Sequence, residues 1–413
     1  MRAVLGPVIV GLVFVGLGAS ACEDRDEPPA EPCASPTLTG TAEDDRITGT
    51  SGPDVIDGGE GNDRIRGLGG DDVLCGGQGA DLLDGGEGED RLFGEADWRQ
   101  EADTDHYEWT GDALSGGPGD DLLDGGYDDD GGETRLEGDS LDFRRSDTAV
   151  RVDLTAGTAT GQGSDTLVTG FHSVVGSRGD DVLVGTDAKD RLIGWSGADR
   201  LVGGNGKDEL YAHVRLVTTA TYDDSRDELF GGGGNDLLSG AEGDETLAGG
   251  PGNDTLVGDM GSDRLFGGAD NDKLTDDLTS ARGQLLDGGT GRDGIQGFFL
   301  VRPDGRDIAT SGAGTVDLAA GLITTRVDGV PVTVVATGLE GATATFGSWT
   351  LIGTDGPNRL AAWFDTSVVI LAGGGDDSVH GSDRYDDLDG GPGRDMLTGT
   401  PGGDRVVGFE QTR

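Results

Sequence analysis

Gly76-Gly77-Gln78-Gly79-Ala80-Asp81-Leu82-Leu83-Asp84 is followed at once by Gly85-Gly86-Glu87-Gly88-Glu89-Asp90-Arg91-Leu92-Phe93. Both stretches follow one nine-residue pattern. Glycines stand at positions one, two and four, an aspartate at six and an aliphatic residue at eight. Upstream, Gly58-Gly59-Glu60-Gly61-Asn62-Asp63 keeps the same register. The aspartates of this run are Asp45, Asp54, Asp63, Asp72, Asp81 and Asp90, each followed two residues later by Ile47, Ile56, Ile65, Leu74, Leu83 or Leu92. Chance does not hold a register over six consecutive units, so the period is read before any secondary structure.

The pattern returns downstream. Asp112 and Asp121 form a short block. Asp181, Asp190, Asp199 and Asp208 precede Leu183, Leu192, Leu201 and Leu210. A longer block carries Asp227, Asp236, Glu245, Asp254, Asp263 and Asp272. Asp293 ends an isolated copy, and Asp377, Asp386, Asp395 and Asp404 close the series.

The residue types dictate a structure. One inward aliphatic between polar neighbours is the alternation of a short, half-buried strand. Glycine gives the turn positive φ and close backbone approach. Turn carbonyls and a carboxylate are hard oxygen ligands, suited to calcium, which takes 6–8 of them in flexible geometry, better than to the tighter magnesium octahedron. Two nonapeptides then make one coil, with turns on both edges. The expected fold is all-β, a parallel β-roll or β-solenoid with irregular β insertions.

Composition points the same way. Glycine supplies 81 of 413 residues and Asp plus Glu 79, against 30 Lys plus Arg, for a formal charge of −49. Aromatic residues are only 5%. So much glycine is costly to order and adds nothing to a core, and there is no Gly-X-Y period of collagen. The charge repels nucleic acid and anionic membranes and favours metal cations.

These repeats resemble the RTX (repeat-in-toxin) calcium-binding family, whose unit is Gly-Gly-x-Gly-x-Asp-x-aliphatic-x. The resemblance covers roughly half of the chain. It implies a parallel β-roll with calcium between successive turns, bound through the sixth-position residues. Here these are Asp54, Asp63, Asp72, Asp81, Asp90, Asp121, Asp181, Asp190, Asp199, Asp208, Asp227, Asp236, Glu245, Asp254, Asp263, Asp272, Asp293, Asp377, Asp386 and Asp395. Glu245 departs by a longer carboxylate and Asn358 by a neutral oxygen. Asp45, in a unit poor in glycine, reads as a degenerate cap.

Non-repeating stretches interrupt the blocks at about 97–110, 127–160, 211–224, 275–287 and 298–350. Two match each other: Val150-Arg151-Val152-Asp153-Leu154 with Gly157, and Gly314-Thr315-Val316-Asp317-Leu318 with Gly321. Further matches, Thr169-Gly170 with Thr337-Gly338 and Gly185-Thr186-Asp187 with Gly353-Thr354-Asp355, indicate a duplicated module with about four residues gained in the second copy. Each Val-Asp-Leu-x-x-Gly segment reads as a strand and turn. Trp363, Phe364, Val368, Val369 and Ile370 read as a small apolar core or a cap on the last roll.

Residues 1–21 read as an export signal: Arg2, an apolar run from Val4 to Leu17, and the small-x-small end Ala19-Ser20-Ala21. Cys22 follows directly and offers a lipid anchor, so the chain is expected to be secreted or held on the cell surface as a lipoprotein. If Cys22 carries lipid, Cys33 and Cys75 remain as a pair. The expected organisation is a signal peptide (1–21), a Pro- and acid-rich linker (22–38), a first roll block (39–126), a bridging segment (127–160), second and third blocks (161–297), a bridging β segment (298–350), and degenerate repeats with a terminal block (351–413).

No catalytic constellation is read. His106, His172, His213 and His380 form no His-Glu-x-x-His, and there is no Gly-x-Ser-x-Gly elbow. Carboxylate pairs occur everywhere and carry no information. The expected function is calcium binding and calcium-dependent folding, with no nucleic-acid partner. The competing classes are an adhesin-like protein that holds a surface polysaccharide or protein, and a hydrolase or epimerase within the insertions.

Overall fold

A nonapeptide leaves three residues for a strand before the glycine turn redirects the chain. The computed structural model describes residues 32–95, 111–126, 139–168, 170–213, 225–276, 284–296, 313–327, 330–344, 347–363, 366–399 and 404–412. The strand Thr255–Val257 is typical: Leu256 is buried and its two neighbours turn outward. Successive strands alternate between two sheets, so residues one coil apart lie side by side. Leu238, Leu256 and Leu274 stack in one sheet, and Leu229, Leu247 and Leu265 in the other. All six are fully buried, and the facing columns merge into one core along the roll. Each such leucine contributes about 1.5–3 kcal/mol by leaving water. The all-β parallel roll expected from the period is the architecture found.

The two sheets differ. One has 17 strands, paired in parallel from Arg46–Thr48 to Gln411–Thr412. The other has 21 and is parallel except at two places. At the first, Arg151–Asp153, Thr158–Thr160 and Ser164–Leu167 form an antiparallel meander. Its last strand pairs with the preceding coil, Leu122–Asp124, and its first with the following one, Val182–Val184. At the second, Ala313–Asp317, Leu322–Val327 and Val330–Thr337 repeat this topology between Leu285–Gly291 and Ser348–Ile352. These are the two copies read from sequence. The second copy is longer where its last two strands extend. The expected irregular β insertions are thus two antiparallel meanders, whose alternating Thr and Val residues suit a hairpin with one face on the core.

Shorter insertions interrupt turns and leave strands in register. Gly94 and Asp112 flank residues 96–110, yet Leu82–Asp84 pairs directly with Ala113–Ser115. Tyr211 and Leu285–Asp287, read as insertion residues, are strand residues. The apolar stretch near the C-terminus is not a cap. Val368 and Ile370 continue the core, whereas Trp363 and Val369 are exposed, because the coil carries on through Arg359–Ala362 and Ser367–Leu371. Phe364, the export segment and Cys22 lie outside the described residues. Among the described residues no helix is long and apolar enough to cross a membrane. Cys33 and Cys75 form a disulfide with Cα atoms 6.3 Å apart. It lays the N-terminal segment over the outer face of the larger sheet and buries an outward strand position.

Candidate calcium sites in the turns

The sixth-position carboxylates read as ligands, from Asp54 to Asp395, are all buried at an edge of the roll, whereas Asp45 and Asp404 at its two ends are half-buried. Together they build two ladders. In each rung, one carboxylate oxygen accepts the backbone N–H of the sixth residue one coil earlier. Asp236 donates to Asp254 Oδ1, Asp254 to Asp272 and Asp272 to Asp293, each at 2.8 Å. This edge begins with Asp45, Asp63, Asp81, Asp112 and Asp139. It resumes beyond the first meander at Asp190, Asp208 and Asp236, and the C-terminal rungs include Asp377 and Asp395. The opposite edge carries Asp54, Asp72, Asp90, Asp121 and Asp165, then Asp181, Asp199 and Asp227, Glu245 and Asp263, and Asp386 with Asp404.

The second oxygen divides the turns into two kinds. Where position two is Thr or Ser, the turn satisfies its own carboxylate. Thr50 donates its N–H at 2.7 Å and its hydroxyl at 2.9 Å to Asp54 Oδ2. Thr41 does the same for Asp45, Thr186 for Asp190 and Ser382 for Asp386. Ser177 divides its two bonds between the oxygens of Asp181. Asp45 is thus a satisfied first rung. Asn358 fits the same turn with a neutral oxygen, held by Thr354 at 2.7 Å.

Where position two is glycine, the turn has no hydroxyl to offer the second oxygen. Oδ2 of Asp63, Asp90, Asp121, Asp208, Asp236, Asp254, Asp272, Asp293, Asp377 and Asp395 is buried without a hydrogen-bond partner, as is that of Asp72, whose turn has Leu68 there. An oxygen in this state is costly unless something positive meets it. A second oxygen lies close by. A Cβ on Gly267 would sit 2.5 Å from both Asp272 Oδ2 and the carbonyl oxygen of Gly288 one coil on. Only glycine leaves this space open. At position two, Gly250 has φ +115°, and a Cβ there would strike the Gly232 carbonyl.

Burial raises several of these acids. Desolvation lifts Asp90, Asp121, Asp208 and Asp272 to about 7, with neighbouring carboxylates adding to the shift. Asp254, Asp293 and Asp377 rise to about 6 for the same reasons. Glu245, fully buried beside Asp263, is driven upward by desolvation and by that neighbour.

The chemistry fits a hard cation. Each glycine turn offers one anionic oxygen and carbonyls from an adjacent coil, the oxygen set that calcium takes. Among the described residues, no three His, Cys, Asp or Glu side chains gather into a metal-holding cluster. That agrees with sites built from one carboxylate per turn and backbone oxygens.

Four rungs were not read from sequence. Asp139, Asp165, Glu340 and Glu410 take ladder positions, Glu340 accepting from Asp293 at 2.9 Å and Glu410 from Asp395 at 3.1 Å. Their glycines are displaced or missing. The remaining signal was an apolar residue two positions on, Leu141, Leu167 and Ala342 for the first three.

A roll with buried carboxylate ladders and open glycine turns defines a calcium-binding repeat protein. The RTX calcium-binding nonapeptide repeat family matches this chain at residues 39–74, 67–97, 175–210, 223–244, 239–274 and 371–406. These stretches are RTX calcium-binding nonapeptide repeats. Both meanders and the four further rungs lie outside them. No curated protein matches the chain. Seven solved chains match it, among them the crystal structure of a hyperactive, Ca2+-dependent, β-helical antifreeze protein from an Antarctic bacterium. That match has 13% identity and a TM-score of 0.22, covering 90% of this chain and 80% of that one. At that score the likeness carries no argument about this chain.

Proposed function

We propose that this protein is an extracytoplasmic scaffold, closed by calcium in its glycine turns and pinned without metal at its hydroxyl turns. The observation that carries this reading is the series of buried carboxylate oxygens that lack a donor, from Asp63 to Asp395. Those carboxylates, with carbonyls of the adjacent coil, would hold the ions. Asp81, with glycine at positions one, two and four of its turn, joins them, as does Asp199, whose turn has Trp195 at position two. Calcium supplies the charge that offsets carboxylate burial, so its binding energy becomes folding energy, as at other structural metal sites. Asp54, Asp181, Asp190 and Asp386 take a different role here, as hydrogen-bonded rungs that need no ion.

The disulfide supports an oxidising compartment, and the signal-like N-terminus supports export. With Cys33 and Cys75 joined, Cys22 is the one cysteine of three left for a lipid. The mass of the mature N-terminal peptide decides between a diacylglyceryl anchor and release with a bare thiol. For the central reading the test is calcium titration followed by far-ultraviolet circular dichroism and by ion counting. We expect mostly coil in chelator, a gain of β signal with calcium, and a stoichiometry that tracks the glycine turns. An identical spectrum in chelator and in calcium would overturn the reading.

A further inference from the structure

The outer face of the 17-stranded sheet, near its N-terminal end, inverts the charge of the chain. Arg46 and Arg64 are lateral neighbours on adjacent strands, and Arg66 is two residues on from Arg64. The segment after Asp139–Asp142 brings Arg144 and Arg145 to the same face. Two carboxylates organise these groups. Asp142 takes the Arg144 guanidinium as a fork, at 2.8 Å to Nε and 2.6 Å to Nη2. Asp84 pairs with Arg145 and lies 3.3 Å from Arg66 Nε. Three guanidinium groups thus meet two carboxylates, with Arg64 beside them on the cavity wall, in a chain where acids outnumber bases 79 to 30.

Between that segment and the sheet lies a cavity of about 260 Å³, lined by Arg64, Asp84, Asp142, Arg144, Arg145 and Trp195 among others. Trp195 forms one wall, with the Arg144 guanidinium carbon 5.6 Å from its ring centroid. Its backbone is unexpected. Trp195 stands at position two of its nonapeptide, where the repeat places glycine, and has φ +85°. Among the described non-glycine residues with positive φ (Leu68, Glu95, Trp195, Ala241, Asp259 and Asp270) it is the sole aromatic. A bulky residue in that region strains the fold, and such strain persists chiefly where it serves a site.

We propose that this cavity binds an acidic pyranose, a uronic acid residue of an anionic polysaccharide. The sugar ring lies against the Trp195 face, and its carboxylate meets the guanidinium groups of Arg64 and Arg145. Arginine presents a planar fork of donors that matches a carboxylate. Clefts for larger ligands run from about 300 Å³ upward, so this one suits a single ring. None of its residues is a turn carboxylate, although Trp195 belongs to the turn of Asp199 and the roll that displays the site must be folded.

The test uses the full chain at a fixed, saturating free calcium level. Trigalacturonate is titrated while tryptophan fluorescence and heat are followed, with a neutral galactose trisaccharide and inorganic phosphate as comparisons. We expect saturable binding of trigalacturonate, at least about tenfold weaker binding of the neutral sugar, and no displacement by phosphate, since one charged hydrogen bond alone is worth such a factor. Trp195→Gly restores the repeat's own residue. It should keep the calcium-induced β signal, melt no lower than the parent and lose binding. Arg145→Gln, at a half-exposed position, should weaken binding about tenfold and leave the fold intact. It decides the matter if Trp195→Gly fails to fold. No binding by the parent chain, equal binding of the neutral sugar, displacement by phosphate, or unaltered affinity in a folded variant would each overturn the proposal.

Discussion

At the scale of a residue, two aspartates at the same position of the repeat do different work. Asp254 and Asp190 both close a nonapeptide and both accept an N–H from the coil before or a neighbour on it. Thr186 then satisfies the second oxygen of Asp190, while that of Asp254 is buried and unmet. The chain itself performs the informative substitution: Asn358, neutral, occupies a hydroxyl turn. Asp190→Asn should therefore leave calcium stoichiometry unchanged. Asp254→Asn should lower it and move the calcium midpoint upward, and the damage should reach the neighbouring coils, because repeats are stabilised by nearest-neighbour interfaces. Calorimetric titration of both variants checks this, and equal effects at the two positions would sink the division into two kinds of turn.

At the scale of an element, hydroxyl turns sit where blocks begin. Thr41 and Thr50 open the roll, Ser177 and Thr186 follow the first meander, and Thr354 and Ser382 follow the second. Each start is thus fixed by hydrogen bonds before any ion is needed. Thr186→Ala should cost about 1 kcal/mol, the worth of an ordinary hydrogen bond, read as a lower urea midpoint at constant calcium stoichiometry. In limiting calcium, amide exchange should be slowest just after these turns and fastest in the long glycine-rich run from Gly231 to Asp272. Much of this organisation was legible in the sequence. The strict spacing set the roll, the inward column of leucines and the buried carboxylates, because each follows from a nine-residue period. The rung at Asp139 was hidden because a long insertion parts it from Gly125, and that at Glu340 because its turn, Gly338-Leu339-Glu340, is too short to show the nonapeptide. The antiparallel direction of the meanders was hidden too, since a Val-Asp-Leu strand reads the same whichever way it pairs. Trp363 misled because apolar character gives no facing, and only the register of Arg359–Ala362 turns it outward.

At the scale of the whole molecule, the carboxylates of the glycine turns make the metal-free roll sensitive to pH. Asp254 rises on burial from near 3.8 to about 6 and Asp90 to about 7, chiefly by desolvation. Between those values the folded chain holds more protons than the unfolded chain, so its stability falls as pH rises through the window. In chelator, β signal should be greater at pH 5 than at pH 8, and calcium should erase the difference. A signal that grows with pH in chelator would contradict this sign. The disulfide closes a loop across 42 positions, and its loss through Cys33→Ser with Cys75→Ser should cost about 2–4 kcal/mol, as a lower melting temperature at saturating calcium.

The meanders have a geometric consequence. Each adds strands to one sheet without adding as many to the other, 21 against 17 in all. Strands are spaced about 4.8 Å apart, so the two walls of the roll differ in length, and both surpluses fall on the same wall. A tube with one longer wall bows, like a heated bimetal strip. The calcium-loaded molecule should therefore image in negative-stain electron microscopy as an arc with the meanders on its outer curve, and deleting Arg151–Leu167 should straighten one half of it.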